Sequence, residues 1–184
     1  MKILSNKHNS VNPMDYEIFV GLDVDKRSIS LTVVDHYGLE KSCKMPYQAD
    51  NLLNYIERRY ADQRMILAYE AGPTGFGLYD DITAAGYRCL VVSPSATPRS
   101  ASERVKTNRI DSRKLAESLR GGSIHGIVVP SLSVRDLRSL VQLREVFVSH
   151  CRSDKFRIKG LLLLRGLPFP EPSPRARWSA AATL

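Results

Sequence analysis

The sequence predicts an α/β domain with a mixed sheet, followed by one long helix. Three observations carry that expectation. Two β-rich runs joined by a short turn open the folded part, strand and helix patterns then alternate, and residues 134 to about 165 keep apolar positions at helical spacing.

Taken in order, residues 1–15 are polar and expected to be frayed. The run "EIFVGLDVD" (17–25) is rich in strand formers and ends in carboxylates, and "SISLTVVD" (28–35) alternates as a second strand. After the turn signal "HYG", "LEKSCKMP" (39–46) completes an antiparallel meander. In "ADNLLNYIERRYA" (49–61), Leu52, Leu53, Ile56 and Tyr60 fall at helical spacing, with Asp50 as candidate cap. "RMILAYEA" (64–71) returns to strand character until "GPTG" breaks it. A helix over 76–86 follows, with Thr74 as candidate cap and Gly86 closing it, and then an apolar strand in 87–94 stopped by Pro94.

Residues 99–120 read as helical and basic, and 123–133 as a connector holding a short apolar run. The long helix is expected from Val134 to about Arg165, capped by Ser133 with Asp136 three residues on. Leu137, Leu140, Val141, Phe147, Val148, Cys151, Ile158 and Leu161 form an incomplete apolar stripe, which suits pairing with another helix or chain. The organisation expected is a flexible N-terminus (1–15), a metal-binding domain (16–130), a coiled-coil-like helix (131–166) and a Pro-rich tail (167–184).

Composition narrows the function. A hydrophobic fraction of 43% suffices for a core. Cys43, Cys89 and Cys151 are too far apart in sequence to form a metal-binding pair and read as reduced thiols of a cytoplasmic protein. No run is apolar for long enough to suggest a membrane span. Residues 1–92 hold 10 Lys and Arg against 12 Asp and Glu, whereas residues 93–184 hold 17 against 7. A slightly acidic half joined to a strongly basic one fits a carboxylate site beside a polyanion-binding surface.

The carboxylates are placed suggestively. Asp23 ends the first strand and Glu70 ends "MILAYE", the position where ligands bind in open α/β sheets. Strand-end aspartates also begin ordinary turns. Asp25 lies two residues beyond Asp23, on the same face if the strand continues. With Asp111 at a helix start, the set reaches the minimum for oxygen-ligated Mg²⁺. Locally, Asn108 also reads as a good N-cap and Asp111 as a favourable N3 residue, roles compatible with metal ligation.

Three stretches, "VGLDVDKRSISLTVVD", "AYEAGPTGFGLYDDITAAGYRCLVVSP" and "RVKTNRIDSRKLAESL", resemble in order and spacing the N-terminal domain of the insertion-sequence-110 family of transposases, which includes related DNA invertases. The resemblance continues through the long helix, over roughly residues 17 to 167. It implies a ribonuclease-H-like, RuvC-type mixed sheet flanked by helices, and a D-E-D-D set that binds Mg²⁺ or Mn²⁺ and acts on DNA strands. Carried over by motif position, that set is Asp23, Glu70, Asn108 and Asp111, with Lys106, Arg109, Arg113 and Lys114 meeting nucleic-acid phosphates.

The resemblance also implies DNA and a structured guide RNA as partners, and a second domain bearing a serine nucleophile, which this reading places outside the chain. Self-association through the long helix is expected as well. Asn108 departs from the pattern, because an amide oxygen ligates without contributing charge. That departure favours an alternative, a non-catalytic RNA- or DNA-binding and dimerisation module. The stretch "GLDVDKRSISLTVVD" also resembles the phosphate hairpin of actin-like ATPases, but Asp25 stands where a glycine is expected and no second glycine-rich loop follows.

Overall fold

The structure is a computed structural model, and it describes residues 11–94 and 108–168. A 3-10 turn, Pro13–Asp15, leads into the strands β1 (Ile18–Val24), β2 (Ser28–Asp35) and β3 (Glu40–Pro46). Helix α1 (Ala49–Tyr60), strand β4 (Met65–Glu70), helix α2 (Gly77–Ala84) and strand β5 (Arg88–Val92) follow. Helices α3 (Asn108–Arg120) and α4 (Leu132–Leu164) complete the set. Contacts divide the chain into two units, Met1–Val129 and Pro130–Leu184.

The five strands lie in the order β3-β2-β1-β4-β5. β1 pairs antiparallel with β2, and β2 with β3, while β1, β4 and β5 run parallel. This is the mixed α/β sheet the sequence predicts, consistent with the ribonuclease-H-like arrangement. The two kinds of connection explain the pattern. Hairpins join the first three strands within a few residues, whereas each parallel step needs a helix to carry the chain back.

Each face of the sheet has its own core. Val20, Leu22, Leu67 and Tyr69 point to one side, where Leu52 and Ile56 of α1 and Leu78 and Ile82 of α2 cover them. Phe19, Ile66, Ala68 and Val92 point to the other, against Leu115 and Leu119 of α3. The central strands are therefore buried on both faces and read as continuous apolar runs. Cys89 packs in the first core, where burial pushes its thiol up to about 12 and keeps it neutral.

One polar thread crosses this interior. Thr32 Oγ1 lies 2.9 Å from Ser112 Oγ on α3 and 3.1 Å from Ser42 Oγ on β3. It fixes α3 laterally over β2. Thr32→Val is expected to cost about 1–2 kcal/mol in urea unfolding; an unchanged midpoint would show that the hydroxyls contribute nothing to holding the helix.

Several helix starts differ from the expected caps. α1 begins after Gln48, leaving Asp50 inside the first turn, and α2 begins after Phe76 rather than at Thr74; neither Gln48 nor Phe76 makes a side-chain cap bond. α4 begins after Ser131 instead of Ser133, again without a side-chain cap bond. α3 starts with Asn108 already inside the helix, so Asp111 stands one position deeper than N3. Cap signals suggest a start within a few residues, and tertiary packing selects among them. The connector also does more than link. Ile124 is buried in the α3-side core, Gly126 bridges Val92, and Ile127 N donates to Val91 O at 2.7 Å, which covers part of the β5 edge.

Within the second unit, α4 buries none of its side chains. Leu137, Leu140, Val141, Phe147, Ile158 and Leu161 of the expected stripe are all exposed. Among the described residues, no helix is long and apolar enough to cross a membrane.

Candidate functional site

The two strand-end carboxylates meet because β1 and β4 are neighbours. Their parallel register ends at Leu22 opposite Tyr69, so Asp23 and Glu70 are the next residue on each strand. Adjacent strands stand about 4.8 Å apart. Side-chain alternation puts both carboxylates on the face of Phe19, Gly21, Ile66 and Ala68, which α3 covers. Both are half-buried, and each makes interactions within the fold.

Gly21 sets how closely α3 approaches. A Cβ there would lie 1.9 Å from the Ser112 carbonyl oxygen and 2.6 Å from the Ala116 nitrogen. The helix backbone therefore rests directly on β1. A glycine inside an otherwise apolar strand was the visible signal for such an approach.

The direction of α3 follows from its two ends. Ser112 sits over Gly21, whereas Arg120 near the other end donates from Nη1 to His36 O at 3.4 Å. His36 follows β2 beside the start of β1, where its ring packs edge-on against Phe19. The helix thus runs antiparallel to β1, with its N-terminus toward Asp23. Asn108 lies one turn before Ser112, about 6 Å along the helix axis. That matches the roughly 6.6 Å between Gly21 and Asp23 along the strand, which brings the backbone of Asn108 level with Asp23. Asp111 is half-buried in the same first turn.

The resulting site is a carboxylate pair facing the positive end of a helix, which favours the negative charge of the pair and of any phosphate brought to it. Among the described residues, no three acids, histidines or cysteines stand close enough together to hold a metal ion. The structure thus brings Asp23 and Glu70 side by side and Asp111 to the same end, without closing a three-carboxylate cluster. The donors nevertheless suit a hard cation, since Mg²⁺ accepts one or two carboxylates and keeps several waters.

The remaining expected residues are placed unevenly. The side chains of Asn108 and Arg109 lie outside the described residues, as does Lys106 entirely. Lys114 is half-buried and engaged within the fold. Arg113 faces β3, where its Nε lies 3.2 Å from Glu40 Oε2 and 3.0 Å from Glu117 Oε1. Asp25 does not extend the strand face. β1 stops at Val24, and Asp25 joins the hairpin turn, its Oδ1 accepting from Lys26 N at 2.6 Å. The "GPTG" stretch is a tight turn, with Gly75 at φ 69° and its N–H bonded to Gly72 O at 3.1 Å.

Comparison with known proteins agrees with this architecture. A transposase family model, that of the DEDD transposases of insertion sequence 110, matches residues 20–165. The chain is 33% identical over 165 residues to the "Putative transposase y4qE" of Sinorhizobium fredii, covering 85% of this chain and 41% of that protein. It is 31% identical over 140 residues to the "Transposase for insertion sequence element IS1533" of Leptospira borgpetersenii, covering 71% of this chain and 40% of that one. The chain therefore spans about two fifths of the length of these relatives.

Proposed function

We propose, from the premise that this chain belongs to the insertion-sequence-110 family of DEDD transposases, that its α/β unit is the metal-binding half of a DNA recombinase. The observation that carries the proposal is the β1–β4 register, which sets Asp23 beside Glu70 at the sheet end faced by the α3 N-terminus. Asp23, Glu70 and Asp111 would hold Mg²⁺ or Mn²⁺, with Asn108 as an uncharged oxygen donor. When bound, the cation supplies Lewis acidity at a phosphodiester and an activated oxygen for its attack.

The protein's own groups do the rest. The strand-end carboxylates are held rigid by the sheet, and the α3 N-terminus orients a phosphate against them. Lys106, Arg109, Arg113 and Lys114 neutralise neighbouring phosphates, Arg113 by exchanging its acidic partners for DNA. A structured RNA as guide, self-association through the exposed apolar side chains of α4, and a cytoplasmic setting complete the reading.

The test is strand cleavage. Purified protein with Mg²⁺ or Mn²⁺ should nick supercoiled DNA, and chelation should abolish the nicking. Replacing Asn108 by Asp adds a charged ligand and should tighten Mg²⁺ binding about tenfold or more. Unchanged affinity would remove Asn108 from the metal set. The open three-carboxylate geometry favours one competing reading, a module that binds DNA or RNA and dimerises without cutting. It prevails if salt-sensitive binding is found with no metal-dependent nicking.

A further inference from the structure

Helix α1 carries a polar stripe that the proposed centre does not use. Asn51, Asn54, Tyr55, Arg58 and Arg59 line one shallow groove on its outer face. Their spacing keeps them within one side of the helix, opposite Leu52 and Ile56, which are buried in the core. Asp50 and Glu57 project to another side, so no acid lines the groove. The two arginines stand in the last turn, where they also complement the helix dipole. The dipole accounts for their charge but not for the aromatic and amide groups beside them.

Those groups are organised. The Arg59 guanidinium lies over the Tyr55 ring, 4.5 Å from its centroid, and donates to Tyr55 Oη at 3.3 Å. Asn51 Nδ2 donates to Gln48 Oε1 at 3.0 Å, which steadies the amide at the start of the stripe. A guanidinium stacked on an aromatic ring is a preformed platform for a planar base. The neighbouring amides suit base edges, and Arg58 suits a phosphate.

The stripe also leads to the right place. Tyr47, just before α1, donates from its backbone to Arg27 O at 3.0 Å in the β1–β2 turn, two residues after Asp25 and close to the end of β1. Tyr60 at the other end of α1 lines a groove with Ile18 and Val33, at the start of β1. The stripe therefore begins at the sheet end that carries Asp23 and runs away from it along the layer opposite α3.

We propose that this face of α1 binds a single strand of nucleic acid, an unpaired base stacking on Arg59–Tyr55 and its phosphates meeting Arg58, and so guides the strand to or from the carboxylate end of the sheet. The proposal rests on the nucleic-acid reading above, but not on metal binding. Unpaired DNA and unpaired RNA share this chemistry.

The experiment measures binding of labelled single-stranded DNA, single-stranded RNA and duplex DNA across a salt series. The proteins are wild type, the double variant Arg58→Ala/Arg59→Ala, Arg59→Lys and Asp23→Ala. The double variant should bind single strands about tenfold more weakly and flatten the log–log salt slope by roughly 1.4, from about 0.7 per lost phosphate contact. Arg59→Lys should keep the slope while losing the stacking part of the affinity. Asp23→Ala should bind normally while losing cleavage, which separates this proposal from the metal reading. Whichever single strand binds tighter identifies the source. Unchanged binding by the double variant, or an equal loss on duplex DNA, overturns the proposal. Both arginines are exposed, and a circular-dichroism melt matching wild type establishes that the variants fold.

Discussion

Replacing Gly21 by alanine is expected to destabilise the α/β unit by about 3 kcal/mol or more, among the largest effects available to a single methyl group. The new Cβ would meet the Ser112 carbonyl at 1.9 Å, the Ala116 nitrogen at 2.6 Å and the Leu115 Cβ at 2.9 Å. Two of these are backbone atoms of one helix, so no rotamer change relieves the clash. α3 has to lift from β1, which stretches the 2.9 Å Thr32–Ser112 hydrogen bond and loosens Leu115 and Leu119. The same movement carries the α3 N-terminus away from Asp23, so cleavage should fall together with stability. Gly77→Ala is the control. Nothing lies within 4 Å of a Cβ there, and the residue is helical, so the change should be neutral or add up to about 1 kcal/mol. A Gly21→Ala loss below about 1 kcal/mol in urea unfolding would contradict the close packing.

The second large effect falls on chemistry. Asp23→Asn keeps size and shape but removes the charge beside Glu70, and it should reduce metal-dependent strand cleavage about a thousandfold or more. That figure is the several kcal/mol a correctly held cation contributes, converted at about 1.4 kcal/mol per tenfold. Stability should change by less than about 1 kcal/mol, because the substitution is isosteric and sits at a half-buried strand end. Glu70→Gln should behave alike, and the double variant should lose little more than either single one, since the pair acts as a unit. Cleavage surviving Asp23→Asn at wild-type rate would place the metal elsewhere.

Much of the fold was legible locally. Each of the five strands falls within its expected run, because alternation, β-branched residues and the Gly and Pro breakers act over a few residues. Asp23 and Glu70 were visible as carboxylates ending apolar strands, and "GPTG" as a tight turn. Helix starts were less legible. Thr74, Asp50 and Ser133 are all chemically able to cap, yet α2, α1 and α4 start elsewhere, because packing of their apolar faces fixes where helical geometry begins. The α1 stripe went unread for a related reason. Its polar residues looked like a solvated face until Arg59 was seen stacked on Tyr55.

By itself, then, the sequence determined the order and type of the elements and the acids at the ends of β1 and β4, because those depend on side-chain periodicity and turn chemistry within short windows. Only the tertiary structure decided that Asp23 stands beside Glu70, that α3 lies backbone to backbone on Gly21, and that Arg113 turns toward Glu40. These are contacts between residues far apart in the chain. They arise from sheet register and layer packing, which the folded molecule as a whole selects and no local pattern encodes.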